Sequence, residues 1–199
     1  MIDRVTEYAQ KVVNGEVFCG RLHKLACQRH LRDLARQNTE AFPYHWDVKS
    51  SERILEYAET LTIGEGFEKR PVELLGFQIF DIGSRFGWLN NKNKRRFRRS
   101  YKSMARQNGK TFENGIMGTY IAGFSGYNYG KLFTAATKKK QAKLAWDEMA
   151  KFINSDEDLQ EYFEVKEYCS LIVAGDTHCT IEALSKDSRI RWWFKVNIF

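Results

Sequence analysis

The sequence predicts an α/β fold in which a mostly parallel sheet stands behind an N-terminal helical layer. Three observations carry that expectation. Apolar residues recur at helical spacing in four segments before Leu89. After Leu89, short strand-like apolar runs alternate with helical segments, the pattern of a sheet crossed by helices. No internal repeat and no clear linker interrupts the 199 residues, a length that supports one buried core. A composition of 43% hydrophobic and 14% aromatic residues excludes a disordered chain, and two prolines with 14 glycines exclude a low-complexity one. No apolar run approaches the roughly 18 residues of a membrane span. The N-terminal MIDRVTEYAQ lacks the apolar stretch of a secretory signal. The expectation is a cytoplasmic protein with no membrane partner, and four cysteines without any C-x-x-C pair are expected as reduced thiols.

In chain order, the first helix covers Asp3–Val13, with Val5, Tyr8, Ala9 and Val12 at helical period, and Asn14-Gly15 stops it. The second runs from about Gly20 to Ala35, with Leu22, Leu25, Ala26, Leu31 and Leu34 as its apolar stripe. Cys19, His23, Cys27 and His30 also fall here at helical spacing. Four ligands strung along one straight helical face span too much axis to close a tetrahedron, so they read as partly buried thiols and polar histidines. Asn38–Val48 is irregular. A third helix over Ser50–Leu61, capped by Ser50 or Ser51, buries Ile54, Leu55 and Ala58. Thr62–Pro71 is a loop, and Val72–Leu89 is a strongly apolar helix ending in Gly87-Trp88. Gln78 within it is either an amide that reads a base edge or an exposed helical glutamine. Asn90–Lys94 is a turn, Phe97–Ala105 a strand, Arg106–Gly109 a turn and Lys110–Phe124 a helix. The Gly-rich Ser125–Gly130 leads to a short buried-type strand, Lys131–Ala136. Thr137 caps a helix over Lys138–Ile153 whose core face is Ala142, Ala145, Trp146, Met149 and Phe152. Ser155 caps a short helix through Phe163, and Val165–Val173 and Thr180–Leu184 are strands.

The chemistry concentrates in Arg95–Thr111, RRFRRSYKSMARQNGKT. Strand, turn, Gly109-Lys110-Thr111 and helix follow one another, which is the layout of a phosphate-binding P-loop. In such a loop the turn's N–H groups and the helix N-terminus cradle phosphates, Lys110 reaches the β- and γ-phosphates and the Thr111 hydroxyl holds Mg²⁺. The strict pattern asks for glycine five residues before Gly109, where Met104 stands. On spacing alone, a plain polar strand-to-helix turn remains the other reading. The net charge is +7, and Lys92, Lys94, Arg95, Arg96, Arg98, Arg99 and Lys102 form a run without an acid. The excess charge is therefore local, and its natural partner is a polyanion, either nucleotide phosphate or nucleic acid. The plainer reading is a solvated face.

Taken in order, four stretches resemble the N-terminal ATPase part of the large terminase subunit of tailed bacteriophages. Cys19–Leu34 (CGRLHKLACQRHLRDL) is similar to that family's early Arg-His-Leu helix, and Leu75–Trp88 (LGFQIFDIGSRFGW) to its adenine-side glutamine segment. Ala105–Thr111 (ARQNGKT) is similar to its P-loop, which departs from the strict pattern in the same way. Phe133–Trp146 (FTAATKKKQAKLAW) resembles the strand and helix that follow. The resemblance implies a P-loop NTPase-like α/β fold, with ATP and Mg²⁺ as cofactors. Arg106 and Lys110 would be catalytic. Gln78 would contact adenine, Arg106, Gln107, Asn108, Gly109, Lys110 and Thr111 would hold the nucleotide, and Thr111 the metal. Arg95, Arg96, Arg98 and Arg99 are the candidate nucleic-acid contacts. The intact family would add double-stranded DNA, a portal and a small terminase subunit as partners, in the cytoplasm of a bacterial host.

The expected division is a helical region over 1–61, a partial P-loop ATPase core over 62–188 and an atypical tail over 189–199. The family's motor uses an apolar strand ending in Asp-Glu, and a downstream nuclease domain with clustered carboxylates around two metals. Neither is found in the sequence. The nearest imitation of the acidic strand is Leu171–Asp176 (LIVAGD), which lacks the Glu, and Asp147-Glu148 lies mid-helix. Arg189–Phe199 (RIRWWFKVNIF) is unlike the family, so the expectation is a reading frame broken after about Ser188 or a truncated prophage remnant. The sheet would be incomplete at its C-terminal end. Nucleotide binding is expected to be weak, hydrolysis slow or absent, and nuclease activity absent. The other readings are a different P-loop NTPase, such as a helicase-like protein, and a non-enzymatic basic nucleic-acid-binding protein.

Overall fold

Residues 2–64 and 69–185 are described by the structure, a computed structural model. The middle of the loop expected at 62–71 and the 189–199 tail lie outside the described residues. The chain forms two units. One takes the residues up to Glu59 together with Glu73–Lys102; the other takes Thr60–Val72 and the described residues from Ser103 onward. Among the described residues no helix is long and apolar enough to cross a membrane.

In the first unit, α1 (Arg4–Asn14) starts where Asp3 accepts the Thr6 N–H at 3.0 Å, and stops at Gly15, whose φ of 86° only glycine adopts at little cost. The helix α3 (Val48–Thr60) begins earlier than expected. Asp47, not Ser50 or Ser51, caps it by accepting from the N–H groups of Lys49 and Ser50, and Ser51 is buried. The helix α4 (Gly76–Gly87) starts later than its apolar run, because Leu75 is extended and the Gln78 side chain accepts the Leu75 N–H at 2.9 Å. At its other end the chain leaves the helix to form β4 (Trp88–Asn90), which pairs antiparallel with β1 (Tyr44–Trp46), Trp46 opposite Trp88. Val5, Ala9 and Val12 of α1, Ile54, Leu55 and Ala58 of α3, and Phe80, Ile82 and Phe86 of α4 are buried. Gly83 permits the close approach of α4, since a Cβ there would collide with Val5 Cγ2 and Ser51 Oγ.

The helix α2 (Arg21–Ala35) buries a different face from the one expected. Cys27, His30 and Asp33 go inside, while Leu22 and Leu25 remain 75% and 49% exposed. The polar residues win because each finds fixed partners. His30 Nδ1 lies 3.0 Å from Trp88 Nε1, an indole that can only donate, so Nδ1 accepts and Nε2 carries the proton. Nε2 then donates to Thr6 Oγ1 at 2.9 Å, and the Thr6 hydroxyl donates to Asp3 Oδ2, which also accepts from Trp46 Nε1 at 2.7 Å. Every proton in this chain of contacts has one place to go. Asp33 has no exposed surface. Its Oδ1 accepts from Arg36 Nε and Nη2 at 3.0 and 2.7 Å, and its Oδ2 from Arg96 Nη1 at 2.7 Å. Burial alone would raise the Asp33 pKa, but these hydrogen bonds from Arg96 and Arg36 outweigh it and hold the carboxyl below its usual range.

The strand expected over Phe97–Ala105 is absent. Two basic residues in and beside this stretch are instead held by acids of the first unit. Arg96 goes to Asp33, and Lys102 pairs with Asp81 at 2.5 Å and stands over the Phe77 ring. Side-chain anchoring has replaced the backbone ladder.

The second unit contains the short hairpin β2 (Thr62–Ile63) and β3 (Arg70–Pro71), then α5 (Lys110–Gly123), β5 (Lys131–Ala136), α6 (Lys139–Asn154), α7 (Glu157–Tyr162), β6 (Phe163–Lys166), β7 (Leu171–Ala174) and β8 (Thr180–Ser185). Asp156, rather than Ser155, caps α7, because the Ser155 hydroxyl donates back to Lys151 O. Lys138, not Thr137, is the residue before α6. The sheet order is β5-β8-β7-β6. Only β5 and β8 are parallel, with Lys131 opposite Thr180, so the sheet is mixed rather than mostly parallel. The single strand expected at 165–173 is in fact a hairpin, turned by a 3-10 segment, Glu167–Cys169, and by Ser170 at φ 54°. The helix α6 packs on β5 and β8, and α5 packs on α6. Trp146, Ile153, Ile172, Ile181 and Ile116 form this core. As an edge strand, β5 alternates exposed and half-buried residues instead of being buried on both faces.

Two measurements follow. Burial pushes the His30 pKa down to about 4, with Asp3 and Asp33 only partly opposing it. The unfolded chain takes up that proton near pH 6.5 and the folded chain does not, so this stability is full above 6.5 and is lost as the pH falls through 4. Urea midpoints should report a loss of about 2 kcal/mol between about pH 7 and pH 5 that a His30→Gln variant no longer shows. Replacing Asp33 by Asn strands the Arg96 and Arg36 guanidiniums, and thermal unfolding should show a destabilisation of about 3 kcal/mol.

Candidate functional site

The turn before α5 is shaped by its backbone. Gln107 (φ 63°) and Gly109 (φ 79°) are left-handed, whereas Arg106 and Asn108 are not. Alternation of hand turns successive N–H groups toward one side, which makes a concavity suited to an anion. Gly109 also opens α5, its carbonyl accepting the Glu113 N–H at 2.9 Å. No side chain caps this helix start, so the N–H groups of its first turn face the same concavity with the positive end of the helix dipole behind them.

Lys110 closes the loop. Its ammonium donates to Met104 O at 2.5 Å and to Ala105 O at 2.9 Å. Met104 contributes a carbonyl and is not left-handed, so nothing at that position requires the glycine of the strict pattern. Arg106, Gln107 and Asn108 are exposed and Thr111 is half-buried. The helix behind them is held at both ends: the Phe112 ring meets Phe152 at 5.6 Å, and at the far end Thr177 Oγ1 donates to Ala122 O and Tyr162 OH to Gly123 O. Glu113, buried in the first turn of α5, was not singled out from the sequence. Its signal was an acid in the first turn of a helix, where the dipole favours one.

The other candidates fall elsewhere. Asp176 follows β7 in the turn that carries Thr177, at the C-terminal end of α5. Thr111 and Ala122 stand roughly 16 Å apart along the axis at about 1.5 Å per residue, so LIVAGD does not bring a carboxylate to Thr111. Asp147 is committed to Lys143 at 2.8 Å within α6. Gln78 belongs to the first unit, is 5% exposed, and serves the start of α4. It is neither of the two side chains expected from the sequence, an accessible base-reader or a solvated glutamine. Of the four basic candidates, Arg96 is turned inward onto Asp33, and Arg95 lies over the Phe86 ring at 5.0 Å. Arg98 and Arg99 are exposed. Arg29 and Arg32 of α2 and Arg36 at its C-terminal cap lie exposed in the same unit and were not singled out from the sequence; their spacing of three and four residues was the available signal. Among the described residues no cluster of His, Cys, Asp and Glu could hold a metal ion, and the four cysteines are free.

The family model described as terminase large subunit, ATPase domain, matches residues 76–186. A search of curated proteins found no match. Among solved structures, the large terminase of bacteriophage HK97 is similar, with a TM-score of 0.58 and 18% identity over 71% of this chain. The matched part is 28% of that protein's length, and at this identity the likeness is one of fold. The family match takes in more than half of the chain and includes the whole of the Ala105–Thr111 loop, α5 and the four-stranded sheet. The chain belongs to the family of terminase large subunit ATPase domains.

Proposed function

We propose that this chain is the ATP-binding part of a phage DNA-packaging motor, and that residues 105–111 hold Mg·ATP. The observation that carries the reading is the alternating loop at Gln107 and Gly109, which runs directly into an uncapped helix start bearing Lys110. On binding, the Lys110 ammonium exchanges Met104 O and Ala105 O for β- and γ-phosphate oxygens. It arrives prepositioned over the loop, so little side-chain entropy is lost. The backbone N–H groups of 107–111 take the remaining phosphate charge. The Thr111 hydroxyl supplies one Mg²⁺ ligand, the metal's role being to neutralise charge on the phosphates. Arg106, exposed on the turn, is placed to stabilise charge developing on the γ-phosphate as an arginine supplied in cis does.

Hydrolysis needs a carboxylate beside Thr111. Among the described residues Asp176, the nearest imitation of the acidic strand, stands at the other end of α5, which supports binding without turnover. Contacts with double-stranded DNA, a portal and a small terminase subunit follow from the family as part of the same proposal. The family match does not favour the reading as a non-enzymatic nucleic-acid-binding protein.

A fluorescent ATP analogue with Mg²⁺ tests the site. Lys110→Ala should weaken binding by about a hundredfold, the loss expected for a charge-assisted contact of 2–3 kcal/mol. Parent-like binding by that variant would place the nucleotide elsewhere. Thr111→Val should remove most of the Mg²⁺ dependence while leaving metal-free binding unchanged. Phosphate release should be absent from the parent; turnover lost in both Lys110→Ala and Asp176→Asn would overturn the view that the chain binds without hydrolysing.

A further inference from the structure

The stretch that leads into the 105–111 loop has no strand ladder to hold it: among the described residues, 97–105 belong to no strand. Residues 98–101 are exposed, Tyr101 to 92%. From there the chain alternates, with Lys102 and Met104 half-buried and Ser103 and Ala105 exposed. Lys102 closes the first unit's share of the chain here, and Ser103 opens the second's. The Lys102 ammonium lies 2.5 Å from Asp81 Oδ2 and 5.4 Å from the centre of the Phe77 ring. The two charged side chains keep only 21% and 27% of their surface exposed, so solvent screens the pair weakly. Phe77 and Asp81 are four residues apart on α4 and so share a face. Arg85, one turn further along, also reaches Asp81 Oδ2, at 3.2 Å, and fixes the carboxylate that Lys102 uses. Two residues beyond Lys102, the Met104 carbonyl accepts from the Lys110 ammonium, as does that of Ala105. Residues 103–109 are thus bracketed by two lysines, one pinned to α4 and the other to the loop's own carbonyls.

We propose that Lys102, held by Asp81, is a positioning residue for nucleotide binding: it fixes the entry to the 105–111 loop in place of the backbone ladder that a strand would supply. The inference rests on the reading of 105–111 as the nucleotide site and adds a residue outside it. Lys102 touches no part of the nucleotide. It acts because a loop that binds phosphates through its N–H groups must present them together. Backbone freed at 103–106 gains conformations that binding must then remove, and that cost falls on affinity. Released from Lys102, the Met104 and Ala105 carbonyls also cease to hold the Lys110 ammonium in place. The Phe77 ring adds a cation–π contact to the ion pair, so the tether has two points on one helix face. Because the whole loop is positioned, the effect is the same for any nucleotide that carries a β-phosphate.

The test is a double-mutant cycle on the full chain, read with fluorescent ATP and ADP analogues and Mg²⁺. Lys102→Met keeps the stem against Phe77 and removes the charge. Lys102→Met and Asp81→Asn should each weaken both analogues about fivefold, and the double variant should lose no more than either single one, because all three remove the same tether. Lys102→Arg, which can still reach Asp81, should bind within about twofold of the parent. Lys92→Ala, which removes the same charge from an exposed position of the β4 turn, should bind as the parent does. Trypsin should cut after Arg106 faster in Lys102→Met than in the parent, with the near-ultraviolet circular dichroism unchanged, since only the loop entry is loosened. Parent-like affinity in a folded Lys102→Met would overturn the proposal, as would losses that multiply in the double variant. A loss confined to the ATP analogue would also overturn it, by making Lys102 a direct γ-phosphate contact. Loss of binding in Lys110→Ala beside parent-like binding in Lys102→Met sinks this inference alone, whereas parent-like binding in Lys110→Ala removes the nucleotide site and this inference with it.

Discussion

Asp33 is cut off from water, and a carboxylate so placed survives as an anion only where positive charge is brought to it. Stripping an ion of solvent costs several kcal/mol, which two well-aligned guanidiniums can return. The demand shapes the first unit. It rotates α2 so that Leu22 and Leu25 face solvent, fixes Arg36 one turn along the same helix, and pulls Arg96 in from a distant part of the chain. Once Arg96 is inside, Phe42, Tyr44, Trp88 and Phe97 surround it. The segment after the β4 turn is consequently tied down by its side chains and does not become a strand.

His30 meets a related constraint with a different solution. It lies one turn before Asp33 and stays neutral because Trp88 offers a donor and the Thr6 hydroxyl an acceptor, so the imidazole buries no charge. The relay to Asp3 ties the start of α1 to α2 and to both tryptophans of the β1–β4 pair. Two polar residues on one helix thus set the arrangement that an apolar stripe was expected to set. The second unit is simpler. There α6 covers the sheet with an ordinary apolar face, and the polar work is confined to the loop before α5, where backbone hand rather than side-chain identity makes the concavity.

The residues that were legible in the sequence are those whose behaviour is local. The stop at Gly15, the turn at Asn90–Lys94, the Arg106–Gly109 turn and the face of α6 depend on neighbours within one helical turn. The Lys110 loop belongs with them, since its geometry is a short string of dihedrals and glycine at 109 announces one of the two that matter. Gln107 does not announce the other. Competition between nearby caps was less legible: Asp47 displaced Ser50, and Asp156 displaced Ser155, because a carboxylate accepts from helix N–H groups more strongly than a hydroxyl.

By itself, then, the sequence determined most of the element types, the position of the turn before α5 and the family, through the order of short motifs whose physics is contained within each motif. Tertiary structure alone decided which face of α2 is buried, whether 97–105 pairs as a strand, whether Gln78 is open or capped, and where each arginine of the basic run points. Those outcomes depend on partners far apart in the chain, Asp33 with Arg96, His30 with Trp88, Asp81 with Lys102. A charge run read in sequence counts cations; only the fold shows which of them a buried acid has already taken.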